Sequence, residues 1–94
     1  MIISFEVHGK VQKVFFRKYT KQAADKLGIF GWVENTRGGT VIGEACGPAD
    51  KMEKFELFLS RKGSPKSRID RCDITKLSSY IEQECNYTDF IIRR

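Results

Sequence analysis

The sequence predicts an α+β fold in which two helices pack on one face of a mainly antiparallel sheet. Three observations carry that expectation. Ile3, Phe5 and Val7 alternate with Ser4, Glu6 and His8, the period of a half-buried strand. Two later segments instead repeat their apolar residues at helical spacing. Turn-bounded strand patterns lie between and after those segments, which gives the order β-α-β-β-α-β with a short final strand.

The first strand runs to Gly9, where strand is expected to become loop. A helix from about Phe16 to Leu27 places Phe16, Ala23, Ala24 and Leu27 on one face with Thr20 beside them, and Gly28 ends it as a C-cap glycine. Residues 30–35 and 40–46 read as strands of a hairpin around Thr36-Arg37-Gly38-Gly39. Pro48 suits the first position of the second helix, whose core stripe is Met52, Phe55, Phe58 and Leu59. Gly63-Ser64-Pro65 stops that helix. A strand is expected near residues 71–76, with an irregular start because Ile69 breaks the alternation of Cys72 and Ile74. A short strand near residues 89–93 closes the chain, and residues 77–88 carry no pattern that places them. No repeat or linker divides the sequence. A single domain over residues 1–94 is expected, built as a ferredoxin-like βαββαβ sandwich.

Composition narrows the function classes. Hydrophobic residues make up 40% and charged residues 31%, which fits a globular chain and not a disordered one. No apolar run approaches the ~20 residues that span a bilayer. Met1-Ile2-Ile3-Ser4-Phe5-Glu6 lacks a basic segment, so no secretory signal is expected. Cys46, Cys72 and Cys85 fit no zinc or redox spacing and read as free thiols, implying a reducing cytoplasm. The net charge of +5 would suit nucleic acid, an acidic membrane surface or a small anion, and alone selects none of them.

The charge is not spread evenly. Between Gly9 and Gln22 stand Lys10, Lys13, Arg17, Lys18 and Lys21, with no Asp or Glu among them. A helix start favours acids, and each cation there costs about 0.3–1 kcal/mol at low salt. Cations at such a place fit a site prepared for an anion, above all a phosphoryl group. The same run also fits an ordinary surface helix with snorkelling side chains. On the first reading, the loop Gly9, Lys10, Val11, Gln12, Lys13, Val14 offers backbone N–H groups as an anion nest. Arg17 closes over the anion with two parallel hydrogen bonds. The loop lacks the second glycine and the Ser or Thr of a nucleotide-binding Walker motif, so a small phosphoryl group is favoured over a nucleotide.

Asn35 ends a strand before the hairpin turn, where turn chemistry is the ordinary explanation. If its strand lay beside the first, its amide would reach the loop and hold a water in line with phosphorus, with Thr36 bracing the amide. Trp32 reads as core or a hydrophobic wall. His8 is the only histidine and lies on the polar face of the first strand. With one His and no pair of cysteines or close acids, no metal and no cofactor are expected. No Ser-His-Asp or Cys-His arrangement is apparent.

The stretches that carry this chemistry resemble the acylphosphatase family. Gly9-Lys10-Val11-Gln12-Lys13-Val14-Phe15-Phe16-Arg17 is similar to the family's first signature, G-x-V-Q-G-V-x-F-R, departing only at Lys13, where the family has glycine. Gly31-Trp32-Val33-Glu34-Asn35-Thr36-Arg37-Gly38-Gly39-Thr40-Val41, with the later Gly47, resembles the second. Gly63-Ser64-Pro65-Lys66-Ser67-Arg68-Ile69-Asp70 and Tyr87-Thr88-Asp89-Phe90 look like the eukaryotic organ-type members. The resemblance implies metal-independent hydrolysis of the carboxyl-phosphate bond of a small acyl phosphate by a cytoplasmic monomer. Loop residues 9–14 and Arg17 would hold the phosphoryl group, and Asn35 would position the water. Inorganic phosphate or sulfate could take the same loop, and neither nucleic acid nor membrane is implied as a partner. A lysine forced into the left-handed region costs about 1–2 kcal/mol. Lys13 therefore leaves open a catalytically impaired phosphate- or protein-binding relative, and the fold with its positive net charge leaves open, further off, an RNA-binding ferredoxin-like domain, although the usual RNA signature is lacking. Glu34 puts an acid where the family prefers a basic or neutral residue, on the strand face opposite Asn35.

Overall fold

Alternation, helical spacing and turn residues resolve in the structure, a computed structural model describing residues 1–78 and 87–93, into five strands and two helices. Strand β1 is Ile2–Lys10, helix α1 Phe16–Leu27, β2 Phe30–Asn35, β3 Val41–Cys46, helix α2 Ala49–Leu57, β4 Arg68–Ser78 and β5 Phe90–Ile92. The sheet order is β4-β1-β3-β2-β5, antiparallel except for the β2–β5 pair. This is the expected ferredoxin-like βαββαβ sandwich.

Strand alternation sets the core. Ile3, Phe5 and Val7 of β1, Val33 of β2 and Val41 and Ala45 of β3 all turn toward the helices and are buried. Against them pack Phe16 and Ala24 of α1, Met52 and Phe55 of α2, and Phe90 of β5. Phe55 sits among these rings, edge-on to Phe5 at 6.0 Å and to Phe90 at 5.8 Å. Burying a ring of this size is worth about 1.5–3 kcal/mol, and a favourable edge contact adds about 0.5–1.5 kcal/mol. Phe90 thus fixes the final strand, and with it the backbone of Arg93, against the rest of the fold.

Helix α1 has the expected limits, with Gly28 in the left-handed region (φ 71°) capping the carbonyls of Ala24 and Asp25. Pro48 stands one place earlier than expected, as the extended N-cap of α2 and not its first helical residue. Helix α2 continues as a wider π turn over Phe58–Lys62, closed by Gly63 N–H donating to the Phe58 carbonyl at 2.9 Å. Strand β4 begins at Arg68 and is longer than the sequence suggests. The irregularity expected at Ile69 is a register shift against β1, between His8 and Gly9. Residues 79–86, within the stretch that the sequence left unplaced, lie outside the described residues.

Trp32 and Cys46 also depart from expectation. Trp32 lies on the sheet face away from the helices, half-buried, with Nε1–H donating to the Tyr87 hydroxyl and the Arg93 guanidinium 4.3 Å over its ring. It is neither core nor a cavity wall. Cys46 is disulfide-bonded, so the chain does not carry three free thiols. The thiol argument for a reducing compartment falls with it. Cys72 is a free thiol, half-buried, with burial pushing its pKa to about 11. Among the described residues no helix is long and apolar enough to cross a membrane.

Gly9 belongs to β1 and not to the loop. A Cβ there would lie 2.1 Å from the Arg68 carbonyl oxygen and 2.8 Å from the Asp70 nitrogen, both backbone atoms of the neighbouring strand. Its φ of 128° is also closed to other residues. Gly9→Ala should therefore destabilise the fold by about 2–4 kcal/mol, a sum of overpacking and backbone strain. Urea denaturation would register this as a lower midpoint at unchanged slope.

Candidate active site

The loop joining β1 to α1 is held at both ends by buried valines. Val11 and Val14 enter the core, which leaves the residues beside them to turn outward. That reversal needs left-handed backbone twice, at Lys13 (φ 63°) and Phe15 (φ 62°). Both are non-glycine, so each is strained by about 1–2 kcal/mol. Phe15 is the N-cap of α1 with no side-chain hydrogen bond, and the first turn of the helix holds no acid. The positive end of α1 thus opens toward the loop without a built-in counter-charge.

Gln12 turns the other way and braces the loop. Its amide nitrogen donates to the carbonyls of Thr36 and Thr40, each at 2.8 Å, tying the loop to the β2–β3 turn. The turn is tightened in its own right. Thr36 and Thr40 hydroxyls are 2.7 Å apart, the Thr40 N–H donates to the Thr36 hydroxyl, and the Thr40 hydroxyl donates to Glu6 at 2.7 Å. Thr36 therefore braces the turn, whereas the sequence reading had it bracing the Asn35 amide.

Between loop, helix start and turn lies a cavity of about 370 Å³, lined by Val11, Lys13, Phe15, Phe16, Arg17, Lys18, Asn35 and Ile92. Among the described residues, three cations and no acid line it. Arg17 Nη1 donates to the Arg93 carbonyl at 3.0 Å, which holds the guanidinium in place and uses one of its five N–H donors. Asn35 Oδ1 is buried with no hydrogen-bond partner among the described residues. A buried acceptor left unpaired in this way costs about 1–3 kcal/mol.

The structure brings together Arg17, Asn35, Lys13 and Val11 of the residues singled out from the sequence. It does so by another route. Strand β3 lies between β1 and β2, so the condition that these two strands be neighbours is not met, and Gln12 ties the loop to the turn instead. The side chains of the remaining loop residues do not line the cavity: Gly9 packs on β4, Lys10 ends β1 in backbone register with Arg68 of β4, Gln12 braces the turn and Val14 is core. Alternation puts Glu34 on the face opposite Asn35, as expected. Phe15, Lys18 and Ile92 were missed. Lys18 stood within the cation run and Phe15 within the loop, but nothing in the sequence linked Ile92, at the far end of the chain, to this cavity.

Comparison with known proteins agrees with this geometry. The acylphosphatase family profile matches residues 3–92. The chain is 47% identical to acylphosphatase-1 of Gallus gallus over 94 residues, covering 100% of this chain and 93% of that protein. It is 45% identical to acylphosphatase-2 of Homo sapiens over 91 residues, covering 97% and 90%. The acylphosphatase of Bacillus subtilis superposes with a TM-score of 0.87 at 30% identity over 100% of both chains. That of Coxiella burnetii does so at 0.86 and 32%, covering 98% and 90%. With a loop, a cationic helix start and an orphaned amide in one cavity, and relatives this similar along its whole length, the chain belongs to the acylphosphatase family.

Proposed function

We propose that the cavity binds the phosphoryl group of a small acyl phosphate and hydrolyses its carboxyl-phosphate bond without a metal, giving a carboxylate and inorganic phosphate. The observation that carries the reading is that Asn35 lines a cavity whose charged side chains are Lys13, Arg17 and Lys18. Arg17 grips two phosphoryl oxygens, Lys13 adds charge, and the backbone of the strained loop supplies further N–H donors. Asn35 Oδ1 accepts a hydrogen bond from a water and aims it at phosphorus.

The bond that breaks leaves a carboxylate, whose conjugate acid has a pKa of about 4, so no general acid is needed to expel it. Asn is not basic, and the proton of the attacking water passes to a phosphoryl oxygen of the substrate. Positioning and charge stabilisation remain for the protein, the main contributions in phosphoryl transfer. Because the substrate is gripped at its phosphoryl end, inorganic phosphate and sulfate would compete for the same cradle. Lys13 already holds the left-handed conformation, which argues against the loop being disabled by it.

Hydrolysis of an aryl acyl phosphate at neutral pH with chelator present tests the reading. The wild type should turn over, and Arg17→Ala and Asn35→Ala should each lower kcat by about 10²–10³, the cost of losing one preorganised contact. No turnover in a folded wild type would overturn it. Asn35→Ala carries a second signature: deleting an orphaned buried acceptor should leave the thermal midpoint unchanged or higher while activity falls. Lys13→Gly exchanges relieved strain for a more flexible unfolded chain and should move stability by less than about 1 kcal/mol. Its KM should rise roughly three- to tenfold with kcat nearly unchanged, as expected for loss of a contact worth about 1 kcal/mol in ground and transition state alike.

A further inference from the structure

The face of the sheet away from the helices brings together three ligand-bearing side chains that lie far apart in sequence. Glu6 and His8 project from β1 two residues apart, and Asp73 of β4 is the cross-strand partner of Glu6. His8 Nε2 lies 3.2 Å from Asp73 Oδ2 and 3.9 Å from Glu6 Oε1, and the three donor atoms fall within 4.8 Å of one another. Ligand atoms bound at about 2.0–2.1 Å to a tetrahedral zinc stand roughly 3.3 Å apart. The spacing on the strands already brackets that value. All three side chains are a third to a half exposed, so an ion could enter without the fold opening.

We propose that Glu6, His8 and Asp73 form a binding site for a borderline divalent cation, with zinc the natural occupant, separate from the catalytic cavity. One imidazole and two carboxylates leave a fourth position for water. His8 binds through Nε2 as the neutral ring with its proton on Nδ1, exchanging its hydrogen bond to Asp73 for the ion. Asp73 is ready as a ligand, since Arg71 beside it holds its carboxyl below the usual range, with His8 adding to the effect. Arg71 is also the competitor. It donates to both Asp73 oxygens, at 2.7 Å from Nη2 and 3.0 Å from Nε, and must yield when a metal arrives. The site would report to the catalytic cavity through Glu6, because its second oxygen accepts the Thr40 hydroxyl in the turn that Gln12 braces.

A single histidine in the chain makes the test direct, since its ring signals need no assignment. Zinc is titrated into the full chain in phosphate-free buffer at neutral pH, on a Cys72→Ser background so that no free thiol at that position competes. The His8 ring signals should shift saturably with one ion per chain, while magnesium leaves them in place. Competition with a chromophoric chelator then measures the affinity of variants. His8→Ala and Asp73→Asn should each weaken binding by at least the ~10–100-fold that loss of an outer partner alone costs a metal site. Arg71→Ala should tighten it several-fold. Hydrolysis by His8→Ala and Arg71→Ala in chelator should match wild type, which separates this site from the catalytic one. Unmoved His8 signals at large zinc excess, an equal response to magnesium, or wild-type affinity in His8→Ala would overturn the proposal.

Discussion

The cavity depends on one side chain placed between two parts of the fold that do not pair. Strand β3 separates β1 from β2, and its ladder to β1 ends at the Val7–Val41 pair, so the loop after β1 and the turn before β3 both lie beyond it. Gln12 supplies the link with two hydrogen bonds from a single amide nitrogen to the Thr36 and Thr40 carbonyls. Each such bond contributes only about 0.5–1.5 kcal/mol net, but the pair fixes where Lys13 stands relative to Asn35. The loop's strained backbone makes this necessary. With Lys13 and Phe15 both left-handed, the segment stores about 2–4 kcal/mol and would relax unless its neighbours over-determined it. Val11 and Val14, sunk in the core on either side, provide the rest of that constraint.

Much of the fold was legible because its signals are local and agree with one another. The limits of α1 follow from Gly28 and from one apolar face, and β1, β2 and β3 from alternation with turn residues between them. Where the reading slipped, tertiary context decided. Gly9 looked like loop chemistry, yet what demands glycine there is the backbone of Arg68 and Asp70, nearly sixty residues away. Trp32 looked like core because it is large and apolar, but its alternation with buried Gly31 and Val33 sends it to the opposite face. Three widely spaced cysteines gave no hint that Cys46 is disulfide-bonded.

The candidate site divides along the same line. Arg17, Asn35 and Lys13 could be named in advance because cations without acids at a helix start are a local anomaly, and because motif spacing tied them together. What each neighbour does could not be named. Gln12 and Thr36 read as ligand and amide brace, and both turn out to hold the turn. Ile92 entered the cavity unannounced, carried there by the parallel pairing of β5 with β2. Backbone cradles leave no side-chain record, so a sequence can mark the place of an anion without showing how it is held.

Glu6 connects the outer face of the sheet to the turn before β3 in a way neither motif contains. Its alternation with buried Phe5 and Val7 sends it away from the core, toward His8 and Asp73. One of its oxygens nevertheless accepts the Thr40 hydroxyl, at the turn that positions Asn35. A carboxylate with two oxygens can serve both neighbours only while its rotamer is fixed, and the Thr40 bond at 2.7 Å fixes it. Any group that draws Glu6 toward His8 must therefore either share the carboxylate, one oxygen each, or pull on the turn. The distance of 3.9 Å from His8 to the oxygen that Thr40 does not use favours sharing. On that geometry the outer face of the sheet stiffens the turn behind the cavity without entering the chemistry inside it.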